Sequence, residues 1–120
     1  MKIVIPVNEN NTDTAVCASF GRAPYFLFSD LASKQTYFVQ NTAATSTGGA
    51  GIQAAQIVID NGADVLLTPR CGEKAANVLL AADIKLYKTV SDNADDNIKA
   101  FEAGNLSPLS EIHAGFHGEK

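Results

Sequence analysis

Long apolar runs, cysteine, histidine and positive charge are all scarce in this sequence, and each scarcity removes a class of function. No run of 18 apolar residues occurs in the 120-residue chain, so no segment reads as a membrane-spanning helix. The opening MKIVIPV holds one lysine and is too short for the apolar region of a secretory signal, which leads to the expectation of a cytoplasmic protein. Only two cysteines are present, Cys17 and Cys71, 54 positions apart and in no CxxC pair. In an intracellular setting they are expected as free thiols, open to metal binding or reactivity. Nine Lys and Arg stand against 13 Asp and Glu, for a net charge of -4 and a pI near 4.9. Such a surface does not offset phosphate charge, which excludes generic nucleic-acid or anionic-membrane binding and leaves any anionic ligand to local donors.

What is present suits one compact domain with a modest core: 46% of residues are hydrophobic and 18% charged. Residues 2–7 read as a buried strand, rich in β-branched side chains and broken by Pro6 and the polar 8–11 run. The connection over 8–24 is long for so small a domain, and loops of that length are often functional. Residues 25–29 and 36–40 predict an antiparallel hairpin. A helix over 52–61 closes on Gly62, a strand covers 64–67, a helix 73–82, a strand 84–87 and a last helix 94–102 ended by Gly104. The order is βββαβαβα, an α/β fold with a five-stranded mixed sheet and helices on both faces. Residues 1–106 form the domain, and 107–120, with Pro108, Gly115 and Gly118 and no sustained period, predict a loosely held, flexible tail.

Topology concentrates the chemistry. In a meander the first and third strands run the same way, and right-handed crossovers set the two later strands parallel to the first. Four strand exits then share one sheet edge, where ligands of open α/β sheets bind. That edge gathers the Cys17–Arg22 loop, the Gly48-Gly49-Ala50-Gly51 turn, the Arg70-Cys71-Gly72 turn and residues 88–93. The GGAG turn opens a helix whose unpaired N–H groups and positive dipole end attract anions, or it is an ordinary flexible turn. Cys71 and Gly72 open a second helix, a position that lowers a thiol pKa, or Cys71 is a small buried hydrophobe. Arg70 either clamps an anion or is a solvated charge. Arg22, stiffened by Pro24, either completes an anion pocket or hydrogen-bonds loop carbonyls. Cys17 is a soft metal ligand or a packed loop residue.

Two enzyme classes fit poorly. A serine or cysteine hydrolase needs an oriented base, and the only histidines, His113 and His117, fall in the tail, off the expected site edge. Spaced by four, they would share a helix face, but Gly115 argues against that helix, and surface histidines are the plainer reading. The strand order also suggests a ribonuclease H-like motif, whose nucleases hold two metals with strand carboxylates. Here the first strand has no acid and the fourth only Asp64. A thiol enzyme using Cys71 lacks a nearby base. The expectation is a protein that is not an enzyme.

The segments MKIVIPV, SFGRAPYFLF, GGAGIQAAQIVIDNGADVLL and CGEKAANVLLAADIKLYK resemble, in order and spacing, the dinitrogenase iron-molybdenum cofactor biosynthesis family, over about residues 1–104. That family includes NifX- and NafY-type carriers, the NifB C-terminal domain and the orange-protein branch. The resemblance implies a ribonuclease H-like motif without nuclease acids and a carrier of an anionic metal-sulfur cluster, iron-sulfur or molybdenum-containing, serving a cofactor-assembly partner. It also implies histidines in HFGR and HGAG motifs, where this chain has Ser19 and Gly48. The candidate cradle is therefore Ser19, Arg22, Gly49, Ala50, Gly51, Arg70 and Gly72, with Cys17 and Cys71 as candidate soft ligands. The alternative is a regulatory domain that binds a small anion or a partner at the same edge without metal.

Overall fold

A computed structural model describes residues 1–11 and 13–109 and the backbone of Ile112–His113. Strand β1 (Lys2–Val7) is the axis of the molecule: Ile3, Val4, Ile5 and Val7 are each fully buried, alternating between the two faces of the sheet. It pairs antiparallel with β2 (Tyr25–Asp30), which pairs antiparallel with β3 (Gln35–Gln40). The other flank of β1 takes β4 (Val65–Thr68) in parallel, and β4 takes β6 (Lys85–Lys88) in parallel. The sheet order is β3-β2-β1-β4-β6. The predicted meander and both parallel additions are present, with strand ends within a residue or so of expectation. The hairpin turn is closed by Lys34 in the left-handed region and by the Asp30 carboxylate, which accepts from the backbone of Ala32.

Side-chain alternation splits the core into two layers. Val4, Phe26, Phe28, Leu66 and Leu86 face helices α1 (Ala50–Asp60) and α2 (Glu73–Ala81). Ile3, Ile5, Val7, Leu27, Val65 and Leu67 face Ala94, Ile98 and Phe101 of α3 (Ala94–Glu102). Burying one such aliphatic or aromatic side chain contributes roughly 1.5–3 kcal/mol. Helix α1 presents Ala54, Ala55 and Val58, and α2 presents Ala75, Ala76 and Leu79, so small residues let the two helices lie close. Gly62, at φ +75°, ends α1 as expected. Helix α1 begins two residues earlier than predicted, with Gly49, in the left-handed region, at its N-cap.

The chain after α3 departs from expectation. Instead of loosening at Ser107, it runs along β6: the Ser107 carbonyl accepts from Lys88, and Leu109 donates to Leu86 at 3.0 Å and is buried. A two-residue strand, β7 (Ile112–His113), then pairs in parallel with β5 (Cys71–Gly72). Leu106 and Leu109 supply the apolar anchors that the proline and glycine content obscured. Among the described residues no helix is long and apolar enough to cross a membrane.

Candidate functional site

The exits of β1, β3, β4 and β6 lie along one sheet edge, as the strand directions require. The long connection after β1 is organised in two halves. Its first half extends the sheet: Val16 bridges Val7, and Cys17 donates to the Pro6 carbonyl at 2.9 Å. The same segment is bolted to the start of α3, since Val16 donates to Asp92 at 2.7 Å and Ala94 donates to Thr14 at 3.3 Å. Thr14 is buried, and its hydroxyl accepts from the Glu9 amide.

Two buried asparagines that the sequence did not single out hold this edge in shape. Asn97 lies inside α3, and its Oδ1 accepts from Val90 at 2.7 Å and Ser91 at 3.3 Å, while its Nδ2 donates to the Ser91 and Asn93 carbonyls. It fixes residues 90–93, to which the first loop is tied. Asn41 donates to the carbonyls of Gly21 and Ala23 and accepts from Ala43, which joins the second half of the first loop to the exit of β3. A readable signal existed for Asn97: it interrupts the apolar stripe Ala94, Ile98, Phe101, and a polar residue on such a stripe needs buried partners.

Gly51 is the point where the turns meet. A Cβ placed on Gly21 would lie 3.0 Å from both N and Cα of Gly51, so the SFGR loop rests directly on the first turn of α1 and a side chain here would press the two apart. A Cβ on Gly51 would touch the Ala75 methyl at 3.4 Å, which sets the first turns of α1 and α2 side by side. Neither helix has a side-chain N-cap: Gly49 and Gly72 stand at the cap positions and make no such bond. Among the described residues no side chain caps the first amides of these two adjacent helices, whose positive dipole ends attract anions. No acidic residue occupies the first turn of α1, whereas α2 carries Glu73 there. The α1 terminus is the stronger attractor of the two.

Gly49, Ala50, Gly51 and Gly72 are brought together with the loop that carries Ser19 and Arg22. Ser19 is exposed, and its hydroxyl accepts from the Arg22 amide at 3.3 Å. Arg22 takes the structural alternative: Nη1 donates to the carbonyls of Ala44 at 3.0 Å and Ser46 at 2.5 Å, tying the loop to the approach of α1. It is exposed and keeps its charge at the edge. Arg70 is also exposed, and among the described residues its guanidinium makes no hydrogen bond or ion pair.

The cysteines part company. Cys71 is 1% exposed, and burial pushes its thiol up to about 11 despite a hydrogen bond from the Gly72 backbone. The expected lowering at a helix start is overridden by desolvation, so Cys71 takes the small-hydrophobe alternative. Cys17 is half-buried on the loop and remains the accessible thiol. Among the described residues no group of three or more His, Cys, Asp or Glu is placed to hold a metal ion. The tail histidines were expected away from this edge, yet β7 sets the His113 backbone in register with Gly72. His117 lies outside the described residues.

Known proteins share this fold. The apo orange protein of Desulfovibrio gigas is 32% identical and superposes with a TM-score of 0.86, over 92% of this chain and 93% of that one. A Thermotoga protein described as NifB-like is 29% identical with a TM-score of 0.80, over 91% and 93% of the two chains. A dinitrogenase-type protein from Methanocaldococcus jannaschii, 20% identical with a TM-score of 0.69 over 92% and 96%, shares the fold. None of the curated proteins matches significantly. The family description "Dinitrogenase iron-molybdenum cofactor" matches residues 1–104, nearly the whole described fold, and the chain belongs to that family.

Proposed function

We propose that this protein binds and carries an anionic metal-sulfur cluster, iron-sulfur or molybdenum-containing, for a cofactor-assembly partner, and that it is not an enzyme. The observation that carries the reading is the pair of helix N-termini without side-chain caps that meet at Gly51, with Gly21 pressed against the first turn of α1. A multiply charged cluster is larger than one helix end, and two adjacent ends with glycine at both caps offer several backbone donors without a side chain in the way. Cys17 is the soft ligand on hand, and Arg22 and Arg70 supply positive charge at the rim.

Anaerobic reconstitution with iron, sulfide and molybdate tests it. Retention of metal and sulfide after desalting, with visible absorption that weakens in Cys17→Ser, is the expected result. Ser19→His with Gly48→His should raise retention, because a Cβ at position 48 meets nothing within 4 Å and Ser19 is exposed. If neither the wild type nor this double variant retains metal, the carrier reading fails.

One feature favours a second reading. Ser19 and Gly48 stand where the resemblance implies imidazoles, so the cradle can act through backbone donors alone on a small oxyanion. Thermal-shift measurements with phosphate, sulfate and molybdate separate the two, since a ligand of the native state raises the melting temperature. Stabilisation by simple oxyanions with no cluster retained selects this reading.

A further inference from the structure

β3 ends the sheet order, and among the described residues β2 is the only element that packs extensively along it. Proteins usually blunt such an edge with lysine, proline, a bulge or a covering segment. Here Gln-Thr-Tyr-Phe-Val-Gln has no charge and no proline, and its register with β2 is unbroken from Asp30↔Gln35 to Tyr25↔Gln40. Side-chain contacts also anchor the strand to the sheet. Tyr37 stacks on Phe28 at 5.1 Å with 7° between the rings, and Lys2 donates to its hydroxyl at 3.1 Å. Phe38 packs on the α3-side core, and Val39 on the opposite one.

The hydrogen-bond phase of the edge follows from one bond. Asn41 donates to the Pro24 carbonyl, so residue 41 faces β2, and alternation turns 39, 37 and 35 inward as well. Thr36, Phe38 and Gln40 therefore direct their N–H and C=O groups outward, unpaired within the sheet. This set is self-complementary. An antiparallel copy with its two-fold axis at Phe38 pairs Phe38 with itself and Thr36 with Gln40 of the other copy, closing six backbone hydrogen bonds. The non-hydrogen-bonded pairs become Tyr37 with Val39, an aromatic and a β-branched side chain on one face. The nearest charge flanking the strand, Lys34, falls opposite Thr42, about 27 Å from its own counterpart at ~3.4 Å per residue, well beyond the screening length of about 8 Å. Nothing charged meets its like across this register.

We propose that two copies of this chain associate through β3 in this register, forming a continuous ten-stranded sheet. The two site edges then point in opposite directions, so the pairing leaves both open. Because a six-residue edge makes a small interface, the expected dissociation constant is on the order of 100 μM. The inference is independent of what the site edge binds.

Sedimentation equilibrium up to about 1 mM tests it on the intact chain, whose monomer mass is 12.6 kDa. Wild type should shift toward twice that mass, with amide exchange slowing at Thr36, Phe38 and Gln40 as concentration rises. Thr36→Lys with Gln40→Lys opposes like charges in the proposed register and should abolish the shift. Thr36→Lys with Gln40→Glu opposes unlike charges and should restore it. Both positions are exposed, so the folded monomer tolerates either pair. A monomer throughout the range, or identical behaviour of the two double variants, overturns the proposal.

Discussion

The start of α3 and the starts of α1 and α2 meet the same physical demand in opposite ways. Every helix leaves its first amides without internal partners. At α3, Asn93 accepts from Asp96, Asp95 and Asp96 sit in the first turn, and the buried Asn97 binds the loop that leads in. That end is satisfied by the Asn93 side chain and the Thr14 carbonyl, and its first turn is acidic. At α1 and α2 glycines occupy the caps, and the neighbours are backbone and methyl groups. Along one sheet edge, then, self-sufficiency at one helix stands beside glycine caps at two, and the proposed cluster site rests on the glycine-capped pair.

The largest expected effect comes from breaking the closed side. Asn97→Ala takes the side-chain partner from the Val90 and Ser91 amides and the Ser91 carbonyl, while the Asn93 carbonyl keeps the Asn97 backbone N–H; with the side-chain site itself buried, the loss should be about 2–3 kcal/mol. Urea unfolding measures it, and a loss below about 1 kcal/mol would mean that residues 90–93 hold their own shape.

Next comes the pH dependence contributed by Cys71. Its folded-state thiol is held up to about 11, against an ordinary value of 9.0. The unfolded chain loses this proton first, so the contribution is fully present below pH 9 and declines as pH rises toward 11. Two units correspond to roughly 3 kcal/mol. Cys71→Ala should flatten the stability profile over that window relative to wild type, and parallel profiles would show that the thiol is not so desolvated.

Gly21→Ala attacks the open side. Its methyl would meet the Gly51 backbone at 3.0 Å, and overpacking of this kind costs typically ~1–3 kcal/mol. The substitution should also reduce cluster or oxyanion retention, because it pushes the SFGR loop off α1. Unchanged stability would mean that loop and helix part without cost. The smallest effect is Asn93→Ala, about 1 kcal/mol for a lost cap, with ligand retention unchanged, since Asn93 caps the helix set apart from the cradle.

Most of the sheet was legible because β-branched runs and the parity of a meander leave few arrangements. The site edge was legible for the same reason: strand direction alone decides which turns share an edge. Side-chain fate was harder. Cys71 follows burial rather than its place at a helix start, and burial depends on α1, α2 and β7 together, which no local window contains. Arg22 satisfies carbonyls of Ala44 and Ser46, more than 20 residues away. The attachment of residues 107–109 rests on isolated leucines and one backbone ladder, too sparse for a periodic signal.

The bonds from Val16 to Asp92 and from Ala94 to Thr14 join stretches of chain 76 and 80 positions apart. Closing loops of that size is slow compared with forming a hairpin or a helix. On a ribosome, the first half of the first loop would emerge early, pair with β1 on one side, and wait for its second partner until the start of α3 arrived. The α3 side of this edge is therefore the last part to close, and a chain interrupted before residue 94 would carry the SFGR loop, both glycine-capped helix starts and all five strands of the main sheet without the helix that holds the first half of the first loop.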